Sequence, residues 1–390
     1  MSWPAKVLGD LVDIKGGGTP SKTVPEYWGG TIPWASVKDF KGGAIERTED
    51  YITELAVSGS STNVIPAGRI IVPTRMALGK VAINAVDMAI NQDLKALQIK
   101  DESKLLVRYL FRFLESKAQF LEEQGKGATV KGITLDVLKG LEIPLPPLPE
   151  QKRIAAILDK ADAIHRKRQQ AIQLADDFLR AVFLDMFGDP VTNPKGWPVE
   201  HLKDITMKIG SGSTPRGGSE AYLEQGISLI RSLNIHDDDF RMKNLAFIDD
   251  EQAEKLSNVL VQSGDVLLNI TGASVCRCAI VPTAVLPARV NQHVCIIRPL
   301  DAINSSYLLH LLISEPYKQK LLKMSGAGAT REALTKQQVE LLEVPIPPKE
   351  LQTKFEEIKE KVRSLSSASD SFKEESFFES LSDKAFSGQL

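Results

Sequence analysis

Two glycine-rich segments contain the residues that most resemble a chemical site. The segment from Gly16 to Thr23 looks like a phosphate-binding loop, which requires the pattern GxxxxGK followed by Ser or Thr. Ser21 stands where the second glycine should be, and Pro20 removes a backbone donor. The related segment 212–218 has no Lys-Thr pair. We therefore expect a turn after a strand rather than a nucleotide site.

Catalytic and metal-binding patterns are missing from the rest of the sequence. Cys276, Cys278 and Cys295 lack a fourth ligand and the spacing of a zinc site, so we expect them to be buried apolar side chains. The five histidines are not paired with Asp or Ser at a recognisable spacing. No GxSxG elbow and no Asn-Pro-Pro-aromatic methyltransferase motif occurs. The sequence therefore predicts no catalytic residue, no metal site and no cofactor bound by this chain.

The composition is typical of an ordinary folded protein. The 390 residues carry 48 basic and 50 acidic side chains, and 43% of them are hydrophobic, which predicts two or three globular domains. No run of 18 uncharged apolar residues predicts a membrane span, and the N-terminal residues do not resemble a signal peptide. Three cysteines cannot all pair, which favours a reduced, cytoplasmic protein. A net charge of -2 neither supports nor excludes binding to nucleic acid.

The chain repeats itself once. The second copy lies about 195 to 201 residues after the first, a period far too long for a solenoid. The recurring motifs are GGGTP at Gly16 and SGSTP at Ser211, Asn-Gln at Asn91 and Asn291, Gly-Ala-Thr at Gly127 and Gly328, and LEIPLPP at Leu141 with LEVPIPP at Leu342. In each copy, short apolar runs bounded by turn residues predict strands. A helical stretch follows, 104–123 in the first copy and 306–324 in the second. We therefore predict two similar mixed α/β domains.

A long helix is predicted after each copy. Residues 150–187 contain no Gly or Pro, and their apolar residues recur at steps of three and four until Gly188-Asp-Pro ends the pattern. A helix of this length extends about 55 Å. The residues after Pro348 repeat the pattern from Phe355 onward. Two such apolar seams in one chain predict a helical pair.

Four sequence strings resemble a known family. They are LGDLVDI at Leu8, PPLPEQKRI at Pro146, FLDMFGDP at Phe183 followed by NPKGWP at Asn193, and KAFSGQL at Lys384. Their order on a doubled chain resembles the specificity (S) subunit of type I restriction-modification systems over essentially the whole length. The resemblance implies an α+β fold in which two target-recognition domains are joined by two long helices, packed as an antiparallel coiled-coil-like pair. The implied domains are 1–149 and 189–349, and the implied conserved helices are 150–188 and 350–390.

The same resemblance implies a non-catalytic subunit. Each recognition domain would read one half of a split, asymmetric site in double-stranded DNA, and the helices would space the domains. Two adenine-methylating methyltransferase (M) subunits and the restriction (R) subunits would be its partners. S-adenosylmethionine, ATP and Mg²⁺ would belong to those partners, and the complex would act in the cytoplasm without a membrane.

Given the family, polar and basic residues of the two copies become candidate DNA contacts. Hydroxyl and basic groups suit phosphates, and Arg, Lys and Asn can pair with base edges. The candidates for phosphate near the glycine-rich turns are Thr19, Lys22, Thr214 and Arg216. The candidates for base reading are Ser36, Lys38, Thr74, Arg75 and Lys80 in the first copy and Arg231, Ser232, Asn234, Thr271 and Arg277 in the second. The candidates in the Gly-Ala-Thr turns are Lys126, Thr129, Lys131, Thr330 and Arg331. For Asn91-Gln92 and its repeat we expect a structural role, capping a turn before a buried strand.

Two other functions are compatible with the sequence. The chain could be a scaffold whose domains bind proteins, which failure to bind any duplex in the presence of the methyltransferase would favour. It could also be a single-chain DNA-modifying enzyme, which methyl transfer by the chain alone would favour.

Overall fold

The computed structural model describes residues 3–127, 131–214, 218, 222–326, 332–367 and 374–390. The chain divides into two compact units. Unit 1 comprises residues 1–169 and 371–390, and unit 2 comprises residues 170–370. The last part of the chain therefore returns to the unit in which the chain begins.

Unit 1 contains eleven short strands and several helices among its described residues. They are, in chain order, β1 Ala5–Val7, α1 Leu8–Leu11, β2 Val12–Gly16, β3 Trp28–Ala35, β4 Ala44–Ile45, β5 Asp50–Ile52, α2 Glu54–Ser58, β6 Val64–Ile65, β7 Ile70–Pro73, β8 Ala82–Asn84, β9 Met88–Ile90, β10 Leu94–Ile99, α3 Val107–Ser116, α4 Ala118–Glu123, α5 Leu135–Lys139, β11 Glu142–Pro144 and the start of α6 Leu148–Phe187. The helix α6 crosses from unit 1 into unit 2.

Unit 2 repeats this order. Its elements are the end of α6, β12 Val199–His201, β13 Thr206–Ser211, β14 Ile227–Ile230, β15 Ile235–His236, β16 Asp239–Phe240, β17 Ala246–Ile248, α7 Asp250–Lys255, β18 Leu260–Val261, β19 Val266–Asn269, β20 Cys278–Ile280, β21 Ala288–Val290, β22 Val294–Pro299, α8 Ser305–Ile313, α9 Glu315–Met324, α10 Lys336–Glu340, β23 Glu343–Pro345 and α11 Lys349–Ser367. The last helix, α12 Glu374–Ser387, belongs to unit 1.

The sheets confirm the internal repeat. Strands β2, β10, β7 and β8 are neighbours in unit 1, and β13, β22, β19 and β20 are neighbours in the same order in unit 2. A second sheet contains β3, β9 and β6 in unit 1 and β14, β21 and β18 in unit 2. One pair in each second sheet is parallel, β3 with β9 and β14 with β21. Each unit is thus a mixed α/β domain, as the sequence predicts.

The two predicted helical stretches are each divided in the structure. Instead of one helix over 104–123, α3 ends at Ser116 and α4 begins at Ala118. The stretch 306–324 consists of α8 and α9, and the residue between them, Ser314, has a non-helical backbone with a ψ of 140°. Pro316 follows in the first turn of α9, where its missing N–H is tolerated. The apolar spacing alone did not reveal these breaks.

The long helices pair in antiparallel fashion within each unit. In unit 1, the guanidinium of Arg153, near the start of α6, donates to the carbonyl oxygen of Leu390 at 3.1 Å. In unit 2, the rings of Phe183 and Phe187, near the end of α6, pack on Phe355, near the start of α11. The predicted fold class is therefore confirmed. The predicted domain boundaries stay a prediction, since the division into compact units falls inside α6.

The three cysteines are buried and free, as the sequence predicts. Burial raises the pKa of the Cys276 thiol to about 12, so it stays protonated and unreactive at neutral pH. Among the described residues, no group of His, Cys, Asp and Glu could hold a metal ion. Within the same part of the chain, no helix is long and apolar enough to cross a membrane.

Candidate nucleic-acid interface

The glycine-rich turns pack tightly against a neighbouring strand. A Cβ atom on Gly17 would lie 1.9 Å from the carbonyl oxygen of Ile90, and one on Gly212 would lie 1.8 Å from that of Val290. No side chain fits at either position, because such distances lie far inside van der Waals contact. The turns therefore have a structural reason for glycine, in agreement with the expected turn after a strand.

Each glycine-rich turn places a threonine beside an exposed glutamine. The hydroxyl of Thr19 donates to the side-chain oxygen of Gln92, and the hydroxyl of Thr214 donates to that of Gln292. Both glutamine side chains are exposed. The structure thus links two segments that lie 73 residues apart in unit 1 and 78 apart in unit 2.

The asparagine before each glutamine caps the turn, as the sequence predicts. The side-chain oxygen of Asn91 accepts from the backbone N–H of Asp93 at 3.1 Å, and that of Asn291 accepts from the N–H of His293 at 3.0 Å. Both asparagines are buried, while the next residue in each copy faces solvent. The glutamines were not among the predicted DNA contacts, although their recurrence in both copies was the signal that could have singled them out.

Each unit has a pair of polar side chains at equivalent backbone positions, and the two pairs differ in chemistry. The N–H of Thr74 donates to the carbonyl of Asp93 at 2.8 Å, and the N–H of Ile270 donates to that of His293 at 2.9 Å. The residues that follow are Arg75 in unit 1 and Thr271 in unit 2.

These residues form the two pairs. The guanidinium of Arg75 lies 3.6 Å from the carboxylate of Asp93, and the hydroxyl of Thr271 shares a hydrogen bond with Nδ1 of His293. The same main-chain frame therefore carries Arg and Asp in one unit, and Thr and His in the other.

Two basic residues, Lys126 and Lys131, lie next to this pair in unit 1. The backbone groups of Lys126 and Gly132 exchange two hydrogen bonds of 2.9 Å, and Gly132 also forms a bridge with Arg75. The side chains of Lys126 and Lys131 are exposed.

We define the polar edge of unit 1 by its connected residues, Thr19, Gln92, Asp93, Arg75, Lys126 and Lys131, and the polar edge of unit 2 by Thr214, Gln292, His293 and Thr271. Thr129, Arg216, Thr330 and Arg331 lie outside the described residues.

A second group of predicted residues surrounds the turn after β3. Ser36 and Asp39 cap this turn, since the N–H of Ser36 donates to the Asp39 carboxylate at 2.7 Å. The ammonium of Lys80 donates to the carbonyl of Phe40 at 3.4 Å, while Lys38 is exposed. No described contact joins this group to the polar edge, and Lys22 is likewise exposed and separate. Thr74 is buried, and its hydroxyl donates to the carbonyl of Asp93 at 3.1 Å.

The equivalent turn of unit 2 uses most of its polar groups internally. Asn234 is fully buried, and its amide donates to the carbonyl of Arg241 at 2.9 Å. The Asn234 oxygen accepts from the N–H of Arg231 at 3.1 Å. The guanidinium of Arg231 donates to the carbonyl of Asn244 at 2.6 Å and lies 4.9 Å from the ring centre of Tyr222. In this conformation, Asn234 is a structural residue of the turn.

Two candidates of unit 2 remain close to the polar edge. The carbonyl of Ser232 accepts from the amide of Asn269, which lies two residues before Thr271. The N–H of Asn269 in turn donates to the carbonyl of Arg277 at 2.8 Å. Burial lowers the pKa of His236, and the positive charges of Arg241 and Arg277 lower it further. A neutral His236 can accept a hydrogen bond at Nδ1 from the Arg277 guanidinium, 3.5 Å away.

Comparison with known proteins identifies the class of protein to which this chain belongs. The family model for the type I restriction modification DNA specificity domain matches the chain twice, over residues 2–174 and 194–366. The chain therefore belongs to the family of specificity subunits of type I restriction-modification systems, and it carries two target-recognition domains.

Individual relatives support the same assignment. The chain is 29% identical over 385 residues to the type I restriction enzyme MjaIX specificity subunit of Methanocaldococcus jannaschii, covering 90% of this chain and 85% of that one. It is 40% identical over 166 residues to the EcoR124I/EcoR124II specificity subunit of Escherichia coli, which is 41% of each chain. The crystal structure of the S subunit from M. genitalium shares the fold, with a TM-score of 0.60 at 16% identity over 100% of this chain and 96% of that one.

Proposed function

We propose that each recognition domain reads one half of a split, asymmetric site in double-stranded DNA. The observation that carries this proposal is the exchange of Arg75 and Asp93 for Thr271 and His293 on an equivalent backbone. A guanidinium can donate two hydrogen bonds to guanine, whereas a hydroxyl or an imidazole presents a different set of donors and acceptors. Two domains that differ in this way read different sequences.

The polar edge of unit 1 suits this role physically. The side chain of Arg75 is 56% exposed, and its distance of 3.6 Å from Asp93 is longer than a normal hydrogen bond. Asp93 therefore orients the guanidinium without occupying its donors. Lys126 and Lys131 lie beside it, and their ammonium groups can neutralise phosphates while Arg75 faces a base.

In the proposed complex this chain is the non-catalytic subunit. Two methyltransferase subunits bind it and methylate adenine, and restriction subunits join them in the cytoplasm. S-adenosylmethionine, ATP and Mg²⁺ bind to those partners. The helix α6 sets the spacing between the half-sites.

An exposed apolar pair on α6 supports the docking of a methyltransferase subunit. Leu174 and Phe178 are four residues apart and therefore share one helix face, with exposures of 69% and 52%. Substitution of Phe178 by Glu should weaken co-purification with the methyltransferase while the thermal stability of the chain stays unchanged. Retention of the methyltransferase by this variant would place its docking surface elsewhere.

Sequencing of methylated bases in a host that expresses this chain with its methyltransferase tests the function. We expect a split, asymmetric motif with methylated adenine that disappears when the chain is deleted. The double substitution Arg75→Thr with Asp93→His should then alter only one half of the motif. The matched control is Lys41→Gln, an exposed basic residue outside the polar edge, which should leave the motif intact. An absent motif with a competent methyltransferase, or a change in both halves, would contradict the proposal.

A further inference from the structure

Met76 has an unusual backbone for its residue type. Its φ is +68°, in the left-handed region that disfavours every residue with a Cβ atom except in special surroundings. Its side chain is 59% exposed, so burial in the core does not offset the cost of this conformation. Strained residues that are also exposed cluster at binding sites, where the side chain serves a ligand rather than the fold.

Unit 2 shows what the fold requires at this position. The N–H of Met76 donates to the carbonyl of Lys131 at 3.0 Å, and the N–H of Gly272 donates to that of Glu332 at 2.9 Å. Gly272 has a φ of +75°, close to that of Met76. The left-handed turn is therefore common to both units, but glycine meets the requirement without strain in unit 2. The fold needs the conformation, and it does not need the methionine.

The surroundings of Met76 indicate which ligand its side chain serves. Arg75 precedes it, and the N–H of Met76 is bonded to Lys131, next to Gly132, which bridges to both Arg75 and Lys126. All three cationic side chains are exposed. An exposed apolar side chain next to cationic ones matches a DNA surface, where phosphates attract the cations and the thymine methyl group offers an apolar contact.

We propose that Met76 is a specificity-determining residue that contacts a thymine methyl group in the half-site read by unit 1. This inference rests on the proposed function, in which adenine is methylated and each half-site therefore contains an A·T pair. Gly272 has no side chain for such a contact, so unit 2 lacks it at the equivalent position. The polar edges of the two units thus differ in an apolar side chain, Met76, as well as in their polar side chains.

Substitution of Met76 by Gly tests this inference, because it gives unit 1 the residue that unit 2 has. The chain would be purified with its methyltransferase subunits, and the affinity for fluorescent duplexes measured by anisotropy. We expect the affinity for the complete site to fall at least about fivefold, as for loss of a base contact. Affinity for a duplex with the unit 1 half-site scrambled should not change, and the melting temperature should not fall.

A chemical change in the DNA isolates the methyl group. Deoxyuridine in place of thymidine in the unit 1 half-site should weaken binding of the unsubstituted complex, and it should abolish the difference between that complex and M76G. The control variant is Met207→Ala, in which a methionine on strand β13 that is even more exposed, at 69%, is shortened, and its affinity should be unchanged.

The possible failures are distinguishable. If the unsubstituted complex binds no split site, the proposed function itself is wrong. If it binds the site and M76G binds equally well, only the role of Met76 is wrong. Loss of methyltransferase from M76G, with no specific loss of DNA binding, would identify Met76 as a contact to that subunit and would also overturn the inference.

Discussion

Phe355 of α11 packs edge-on against Phe183 of α6, with ring centres 5.5 Å apart and an angle of 75° between the rings. Phe187 and Tyr307 complete this aromatic cluster, in which Phe355 is fully buried. Edge-to-face geometry places the positive ring edge of one residue against the negative face of another. The cluster therefore fixes the start of α11 on the end of α6 within unit 2.

Substitution of Phe355 by Ala should lower the free energy of unfolding of unit 2 by about 3–5 kcal/mol, because it leaves a cavity among these rings. Denaturant titration monitored by circular dichroism measures this change. Substitution of the exposed Phe178 by Ala is the control and should cost far less. Equal losses for both variants would show that the cluster contributes no special stability.

The stability of unit 2 should decrease with acid because of His310. Burial, together with the positive charge of Lys359, lowers the pKa of His310 to about 4, and the nearby Asp238 opposes this effect. Above pH 6.5 the imidazole is neutral in both states and has no influence. Between pH 6.5 and about 4 only the unfolded state binds the proton, so the folded state is destabilised by about 2 kcal/mol at pH 5.

The variant His310→Gln provides the comparison for this titration. It removes the titrating group, so its free energy of unfolding should fall less steeply from pH 7 to pH 5 than that of the unsubstituted chain. The slope is compared rather than the absolute stability, because the substitution also disturbs packing. Identical slopes would mean that His310 is protonated equally in the folded and unfolded states.

Arg277 should affect only the half-site that unit 2 reads. Its replacement by Ala removes the guanidinium beside His236 and should cost about 1–3 kcal/mol of binding to that half-site if the group contacts a base. Competition binding with duplexes altered in one half-site at a time measures the effect. The same assay on Lys255→Ala, an exposed lysine on α7 paired with Glu251, gives a control with little expected change. Loss at both half-sites would contradict independent reading.

The length of α6 should set the spacer between the half-sites. Insertion of four residues within 161–175 adds about one helical turn. The methylated motif should then gain or lose spacer base pairs while both half-site sequences persist. Sequencing of methylated bases reads the outcome directly, and altered half-sites would show that α6 does more than separate the domains.

Much of the architecture could be predicted from the sequence because it depends on local patterns and repetition. The doubled motifs predicted two similar domains, and the long apolar seam without Gly or Pro predicted α6, observed as Leu148–Phe187. The turn formed by Asn91 and Asn291 was also predicted, since an asparagine side chain bonds its own backbone nearby. These features involve residues close together in the chain.

The candidate site was harder to predict because it depends on contacts between distant residues. The links from Thr19 to Gln92 and from Arg75 to Asp93 require the sheet order, which no single segment specifies. Burial of Asn234 likewise follows from tertiary packing, although its residue type suggested a base contact. The ion pairs of the buried Arg112 with Asp159 and Asp162 were also invisible in the sequence.

The close approach of Gly17 to Ile90, and of Gly212 to Val290, has a consequence for how such chains diversify. The frame of each polar edge is held by main-chain atoms and by the buried side chains of Asn91 and Asn291, and the side chains at positions such as Asp93 and His293 do not take part in it. A substitution at Asp93 or His293 leaves this frame intact and changes only the side chain that the polar edge presents. Domains that descend from one ancestor can therefore acquire new DNA target sequences by single substitutions. The two recognition domains of one chain can change in this way independently.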